Sequence, residues 1–137
     1  MKKIRGFSKL AIIGVVAIVG ICAVSADASA RAWTLSFSGS VDGFLDSGFY
    51  SDYHILTSRL KPTANSSAKL NVTPYKNSKQ NGAKMTTVSF TNLKSGVTQL
   101  KQHTTSATGN TYYIHMKNNN NSLNANYNII SSNVVQQ

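Results

Sequence analysis

The sequence has few of the side chains that catalysis and covalent cross-linking require. Its 137 residues include one cysteine, Cys22, only four aspartates and no glutamate. Without a suitably spaced pair of carboxylates, a two-carboxylate hydrolase cannot be assembled. The chain also contains no G-x-S-x-G elbow, no H-E-x-x-H motif and no phosphate-binding loop. The sequence therefore predicts a protein that is not an enzyme and that has no catalytic residue, cofactor or metal site.

One long hydrophobic run is present, and it lies near the N-terminus. Basic residues precede the apolar run Leu10–Val24, and small residues follow it, which is the pattern of a cleavable signal peptide. At about 1.5 Å per residue the run is shorter than the roughly 30 Å core of a bilayer, so a retained anchor is not expected. We predict a signal peptide over residues 1–30, cut before Arg31 or, one turn earlier, after Ala26.

The expected exported part is a domain of residues 31–137 that lacks cysteine. It carries ten basic residues against Asp42, Asp46 and Asp52, a net charge of +7. About 100 residues are enough for one hydrophobic core. The absence of cysteine from a small secreted domain favours a bacterial source. We expect the protein to be secreted and extracellular, with no transmembrane segment after cleavage.

Beyond the leader, apolar and polar residues alternate with a period of two, which is typical of half-buried β-strands. The runs are rich in β-branched and aromatic residues, and turn residues such as Asn81-Gly82 separate them. The predicted fold is all-β, a single antiparallel β-sandwich of six or seven short strands. The strands are expected at Trp33–Phe37, Ala68–Thr73, Thr86–Thr91, Tyr112–Lys117 and Ala125–Ile130, with weaker candidates at Phe49–Thr57 and Val97–Gln102.

Three segments lead to expectations about the connections. Lys61–Ser67 is polar enough for a crossover loop between two sheets. Pro74 predicts a sheet edge or a strand end, because proline cannot donate to the hydrogen-bond ladder. Asn118–Asn121 is predicted to be a hairpin turn, since asparagine tolerates positive φ, with a prion-like tract as the alternative.

The segment Val41–His54 is the candidate binding element. It holds all three acids of the exported part, but their spacing of four and six residues differs from that of calcium loops. Its aromatic side chains either fold back onto the core or enter an interface. The aromatic residues proposed for binding are Phe44, Phe49, Tyr50 and Tyr53.

The excess of lysines predicts attraction to anionic partners outside the cell, such as anionic cell-envelope polymers or lipid head groups. The alternative is that scattered lysines serve solubility alone. Nucleic acid is not an expected partner, because the chain has no recognition helix and no aromatic–basic single-strand motif. The lysines proposed for binding are Lys69, Lys76, Lys79 and Lys84.

The three histidines are the possible proton-transfer groups of the chain. His54, His103 and His115 have no partnered nucleophile and no paired carboxylates in the sequence pattern. His115 stands next to Tyr113 in a predicted strand and is expected to be structural.

The order of these features resembles a known class of proteins. Trp33–Phe37, Lys69–Thr73, Tyr112–Asn121 and Tyr127–Ser131 resemble small secreted β proteins of Gram-positive bacteria whose function is unassigned. In addition, Tyr50–His54 and the strand entry at Ser67-Ala68 resemble the lactococcin 972 class of bacteriocins. The exported part is longer than in that class and lacks its closing tail rich in tyrosine and tryptophan, so no functional residue is carried across.

Charge, export and resemblance together predict a secreted, non-enzymatic protein that acts at a bacterial cell envelope as a bacteriocin-like antimicrobial. The alternative is a self-associating extracellular matrix or surface structural protein. Its contacts would come from strand faces of Ser, Thr and Asn, which do little to prevent pairing between molecules. An inhibitor or adhesin that binds one protein partner is a third hypothesis.

Overall fold

The computed structural model describes residues 28–105 and 107–136, and these residues form two antiparallel β-sheets. The predicted all-β sandwich is therefore confirmed. Within the described ranges there is no helix long and apolar enough to cross a membrane. The predicted leader lies outside the described residues apart from Ala28–Ala30.

The described residues form ten strands, more than the six or seven expected, because two sheet edges are each built from two short strands. The strands are β1 (Ala28–Phe37), β2 (Val41–Phe44), β3 (Phe49–Ser51), β4 (Ile55–Pro62), β5 (Leu70–Lys76), β6 (Ala83–Lys84), β7 (Val88–Phe90), β8 (Gln99–Gln102), β9 (Asn110–Asn118) and β10 (Leu123–Ser132).

Sheet 1 has the strand order β1-β10-β4-β8. Strand β10 pairs residue for residue with β1 along its whole length, from Ala28 opposite Ser132 to Phe37 opposite Leu123. On its other side β10 pairs in the same unbroken way with β4. From Ala125 to Ser132, each side chain of β10 therefore has neighbours on both sides that point to the same face of the sheet.

Sheet 2 has the strand order β2-β9-β5-β6, with β3 also paired to β9 and β7 also paired to β5. Strands β2 and β3 follow one another along the same side of β9 and are separated by residues 45–48. Strands β6 and β7 do the same along β5, separated by residues 85–87. Both edges of sheet 2 are thus interrupted.

The inner sides of the two sheets form one hydrophobic core. In β1, Trp33 and Leu35 are buried while Thr34 and Ser36 are exposed, as the period of two requires. The Trp33 ring stacks on Tyr127 of β10, with centroids 5.9 Å apart and an interplanar angle of 30°. Sheet 2 adds Leu70, Val72, Phe90, Tyr112, Ile114 and Met116 to the same core.

Two of the connections between the sheets are the polar segments for which the sequence led to predictions. Lys61–Ser67 leads from β4 of sheet 1 to β5 of sheet 2, which confirms the predicted crossover. Asn118–Asn121 leads from β9 of sheet 2 to β10 of sheet 1, so the predicted hairpin turn is wrong. Both long sides of β10 are taken by β1 and β4, which leaves no side for β9 to pair with.

Side-chain amides hold this second connection. The Asn118 Nδ2 atom donates to the carbonyl oxygens of Gly39 and Asn121, at 3.0 and 2.7 Å. Positive φ angles occur instead at Asn77 (67°) and Asn92 (54°). The asparagine run therefore stabilises this connection through side-chain hydrogen bonds. It does not adopt the left-handed backbone that a tight hairpin needs.

Pro74 lies inside β5 and has strands on both sides, so the prediction of a sheet edge or strand end is wrong. Its carbonyl accepts a hydrogen bond from Met85 N at 2.9 Å, which shows that its backbone polar groups face the side of β6 and β7. That side is interrupted between Lys84 and Val88. Proline is tolerated because its missing N–H falls where the partner ladder is broken.

The weak strand candidate Phe49–Thr57 is divided between the two sheets. Its first part is β3, which pairs with β9, and its last part begins β4, which pairs with β10. Between them the chain turns at Ser51–Tyr53, where the Ser51 hydroxyl accepts from Tyr53 N at 3.0 Å. Strands β7 and β8 lie within predicted ranges, β7 inside Thr86–Thr91 and β8 inside Val97–Gln102.

Strand β1 begins inside the predicted leader. Ala28, Ser29 and Ala30 lie opposite Ser132, Ser131 and Ile130 of β10. Cleavage before Arg31 would remove these three pairs, whereas cleavage after Ala26 would leave the strand whole.

We expect export to remove residues 1–26, so that the mature protein begins at Asp27. Mass spectrometry of the intact protein from culture medium measures this directly. A mature chain beginning at Arg31 would show that the sheet holds without its first three pairs, and a chain retaining Met1 would contradict the signal peptide itself.

Candidate functional site

The outer side of sheet 2 carries a group of four rings that come from three strands. Phe44 of β2 lies opposite His115 of β9, and Tyr75 of β5 lies opposite Tyr113 of β9. Residues opposite one another in an antiparallel pair point to the same face. All four are half-buried, and Tyr113 and His115 alternate with the buried residues of β9. We call Phe44, Tyr75, Tyr113 and His115 the aromatic face.

Three rings of the aromatic face, those of Phe44, Tyr75 and His115, pack edge to face. Phe44 lies 5.0 Å from His115 and 5.2 Å from Tyr75, with interplanar angles of 73° and 69°. Tyr75 and His115 are 6.1 Å apart at 65°. These are the arrangements that aromatic pairs favour, so the rings hold one another in place while part of each stays open to solvent.

Lysines surround the aromatic face. The Lys79 ammonium lies 5.8 Å from the centroids of both Phe44 and Tyr113, within cation–π range. Lys84 of β6 lies opposite Tyr75, and Lys117 of β9 follows His115 on the same side of the strand. All three lysines are exposed. This side of the sheet therefore presents several positive charges next to apolar ring surface.

One carboxylate lies in this group. Asp42 Oδ1 is 2.7 Å from His115 Nε2, and Asp42 Oδ2 is 4.0 Å from Lys117 Nζ. The His115 N–H donates to the carboxylate, which orients the imidazole ring against Phe44. His115 therefore has the structural role that the sequence predicted, as part of a surface cluster.

The other two acids of the segment Val41–His54 also bind aromatic side chains. Trp33 Nε1 donates to Asp46 Oδ1 at 3.4 Å, and the Tyr50 hydroxyl donates to Asp52 Oδ1 at 3.1 Å. The neighbouring Asp52 carboxylate raises the pKa of the Tyr50 hydroxyl through this hydrogen bond and its charge. Each aspartate thus has a separate aromatic partner, and the described residues contain no group of three potential metal ligands.

The structure divides the predicted aromatic residues. Phe44 belongs to the aromatic face, and Tyr50 lies at its edge, 58% exposed and opposite Thr111. Phe49 is only 5% exposed and packs in the core opposite Tyr112, so it cannot contact a ligand, and the prediction is wrong for this residue. Tyr53 is half-buried in the turn between β3 and β4, away from the four rings.

The predicted lysines are divided in the same way. Lys79 and Lys84 border the aromatic face, and Lys69 is exposed just before β5, two residues from the outward-facing Asn71. Lys76 alternates with Tyr75 and points to the opposite side of β5, so it is not part of the site. Strand parity separates Lys76 from Lys69 and Lys84, and the turn between β5 and β6 places Lys79.

Sequence reasoning missed Tyr75, Tyr113 and Lys117, and it gave His115 no place in a site. The available signal was the outward half of each alternating run, Tyr113-x-His115-x-Lys117 in β9. The sequence does not show that β2 and β5 flank β9, and the site exists only because they do.

Gly48 fits the backbone of the β2–β3 connection against the aromatic face. A Cβ atom at this position would lie 2.7 Å from Thr111 Cγ2 and 3.0 Å from Tyr113 Cε1. A larger residue would therefore push on the Tyr113 ring, so Gly48 helps to set the position of this ring.

A second polar group lies in the interior, at His103. Its Nδ1–H donates to the Thr86 carbonyl at 2.8 Å, which leaves Nε2 to accept the Ser58 hydroxyl at 2.7 Å. Ser58 in turn accepts from the Tyr127 hydroxyl at 2.7 Å. His103 and Ser58 are 1% and 0% exposed. The serine–histidine pair is sealed from substrate, and it satisfies polar groups inside the core.

Burial has the largest effect on the pKa values of His103 and Tyr127, the two titratable groups in this chain of hydrogen bonds. It lowers the pKa of His103 from 6.5 to about 4, against a smaller opposing effect of the Thr86 carbonyl. It also raises the pKa of Tyr127. Both groups are therefore neutral in the folded protein at neutral pH.

The comparisons with known proteins do not assign a family. No protein-family model matches the chain, and no curated protein sequence matches it significantly. Among solved structures it is similar to the structure of infectious bursal disease virus Gx strain, at a TM-score of 0.36 and 9% identity. It is also similar to the VP2 subviral particle of infectious bursal disease virus, at a TM-score of 0.39 and 9% identity.

These matches cover 90% and 87% of this chain but 38% of each viral chain. The chain thus spans well under half the length of the structures it matches. Similarity at this level carries no information about function, and the β-sandwich assignment rests on the strand pairing described above.

We predict that the protein loses stability as the pH falls from 6.5 towards 4. In this window His103 is neutral in the folded protein, because burial lowers its pKa to about 4. In the unfolded chain it is protonated. The unfolded state binds more protons, so acid favours it, by about 3 kcal/mol at pH 4 relative to neutral pH. Urea unfolding at several pH values measures this slope.

The matched variant is His103→Gln, which removes the titrating group. It should be less stable than the wild type at pH 7, because the Ser58 and Thr86 contacts are weakened, yet it should lack this part of the pH dependence. If the free energy of unfolding had the same slope against pH in both proteins between pH 6.5 and 4, His103 would not be the group responsible.

Proposed function

We propose that the protein is a secreted, non-enzymatic protein that binds anionic polymers or lipid head groups of a bacterial cell envelope. The observation that carries the proposal is the convergence of Lys79, Lys84 and Lys117 around partly exposed rings on one side of sheet 2. The single carboxylate there, Asp42, is already engaged by His115.

The two kinds of side chain act over different distances. Exposed lysines attract an anionic surface from a distance of about one Debye length, roughly 10 Å at 0.1 M salt, and each contributes about 1 kcal/mol near such a surface. The rings act only on contact, by burying apolar parts of the ligand. Since Lys79 already lies over two rings, charge and ring contact are offered at the same place.

The shape of the site favours an extended ligand. The aromatic face spans strands β2, β9 and β5 and forms part of an open sheet surface. A polymer or membrane extends beyond such a surface and contacts lysines at several positions, including Lys69 and Lys84. The resemblance to lactococcin 972-type bacteriocins supports an antimicrobial role, for which inhibition of neighbouring Gram-positive strains is the assay.

A second candidate function is that of a self-associating extracellular matrix or surface structural protein. The β1 and β10 part of the outer side of sheet 1 favours it, because its side chains are uncharged; Arg59 and Lys61 lie beside it on β4, opposite Asn128 and Asn126. Ser36 donates to Asn124 Oδ1 at 2.8 Å, and Thr34 donates to Asn126 Oδ1 at 3.4 Å. Such a surface has little charge to repel a second molecule.

The proposal is tested with a triple variant, Lys79→Gln, Lys84→Gln and Lys117→Gln. At about 1 kcal/mol per lysine, binding to anionic vesicles or purified cell wall should fall on the order of 100-fold. The control is Lys61→Gln, Lys94→Gln and Lys101→Gln, which changes the net charge equally but leaves the aromatic face intact. Cosedimentation with vesicles of phosphatidylglycerol and with cell walls measures both proteins.

Salt provides the second readout. Binding of the wild type should weaken steeply between low salt and about 0.5 M salt, because screening acts on exposed charges. An equal loss in the two triple variants would mean that net charge alone matters and that the aromatic face is not the site. Absence of any binding by the wild type would overturn the proposal.

A further inference from the structure

Strand β1 is the one long uninterrupted sheet edge in the described part of the chain. Strand β8, at the other edge of sheet 1, has four residues, and both edges of sheet 2 are interrupted, at residues 45–48 and 85–87. Strand β1 has ten residues and pairs only with β10. Natural sheets keep exposed edges short or interrupted, because a long edge is a template for pairing with another chain.

The hydrogen bonds of sheet 1 show which backbone groups of β1 point outward. The Asn124 carbonyl of β10 accepts Thr63 N, so it points towards β4. Because successive residues point to opposite sides, the odd-numbered residues of β10 point towards β1. Their partners in β1 are also odd-numbered, for example Trp33 opposite Tyr127.

It follows that the even-numbered residues of β1 direct their N–H and C=O groups away from the sheet. They are Ala28, Ala30, Ala32, Thr34 and Ser36. Within residues 28–105 and 107–136 these groups have no backbone partner. The edge therefore offers a regular row of hydrogen-bonding groups over most of its length.

Strand β1 also lacks the devices that block an edge. It contains no proline and no lysine, and its single charge is Arg31. The half-buried Arg31 side chain is held against the β2–β3 connection, where its guanidinium donates to Ser47 Oγ at 2.5 Å and to the Gly48 carbonyl at 3.3 Å. It also lies 5.2 Å from the Trp33 ring, so it does not guard the edge.

We propose that two copies of this chain pair through their β1 strands, antiparallel, about a two-fold axis perpendicular to sheet 1. The partner is a second copy because the edge is self-complementary: its outward residues have small, uncharged side chains, so no like charges meet. The pairing joins two four-stranded sheets into one of eight strands.

The assembly ends at the dimer. Pairing uses the one long edge of each copy, and the edges that remain are β8 and the interrupted strands of sheet 2. An open fibre needs two long edges per molecule. The inference therefore deepens the second candidate function by limiting its association to a closed pair.

The two-fold axis also fixes the relation between the two aromatic faces. A two-fold axis perpendicular to the sheet leaves the core-facing side of sheet 1 in both copies on the same side of the joined sheet. Both copies of sheet 2, and with them both aromatic faces, lie on one side of the dimer. If the proposed envelope binding holds, the dimer attaches at two points, which raises its apparent affinity without any new contact.

The test is the oligomeric state of the purified protein, measured by sedimentation and light scattering without polymer or lipid. We expect a mass of two chains that falls to one chain on dilution, and a tighter dimer at high salt, because two copies with a net positive charge repel each other. Envelope binding weakens as salt rises, whereas the dimer becomes tighter. The two measurements are independent, so either proposal can fail without the other.

The decisive variant is Thr34→Pro, which removes an outward N–H but no bond to β10. Proline suits the extended backbone of an edge strand. We expect this variant to be monomeric, while the control Thr34→Val, which keeps the N–H, remains dimeric. Circular dichroism and Trp33 fluorescence check the fold of each.

A second pair of variants covers the case in which proline prevents folding. Thr34→Lys with Ser36→Lys brings like charges together across the axis and should give monomers, whereas Thr34→Gln with Ser36→Gln should not. A wild type that stays monomeric at all concentrations overturns the proposal, as does a folded Thr34→Pro variant that still dimerises. Assemblies larger than two chains overturn the closed pair.

Discussion

The two-residue alternation of the central strands, which runs through β9 and as far as Ile129 in β10, is the constraint on which the rest of the structure depends. Strands β9 and β10 each have partners on both sides, so no residue in them can change direction without moving its neighbours. The inner half of β10 supplies Tyr127, which stacks on Trp33 and anchors the hydrogen bonds to Ser58 and His103. The outer half of β9 supplies Tyr113, His115 and Lys117 to the surface site. The same alternation thus places inward-facing residues in the core and outward-facing residues in the surface site.

The two sheets differ in what they offer the surroundings. The outer side of sheet 2 combines rings with lysines, whereas on the outer side of sheet 1 the strands β1 and β10 carry uncharged side chains and the basic residues Arg59 and Lys61 lie on β4. Their edges differ as well, since the edges of sheet 2 are interrupted and sheet 1 has a long one at β1. Attraction to anionic material and pairing with a second copy therefore belong to different parts of the molecule, and salt affects them in opposite directions.

Much of the fold could be predicted from the sequence, and a smaller part of the candidate site. Alternation correctly placed Trp33, Leu70, Ile114 and Tyr127 in the core, because burial on one side of a strand is a local property. Phe49 failed because an aromatic residue in a polar segment looks the same whether it points inward or outward. Pro74 failed because its tolerance depends on a gap in a partner strand, and the sequence does not show which strand that is.

The sequence by itself determined that this chain builds sheets, which residues alternate along each strand and that the chain carries excess positive charge. These features follow from the spacing of side chains along a strand and from composition. Only the tertiary structure decided which strands are neighbours. It brought Phe44, Tyr75 and His115 together from positions up to 71 residues apart and turned Lys76 away. Strand pairing joins residues distant along the chain, and the backbone groups that pair are the same at every position, so neighbours are chosen by the packing of the whole core.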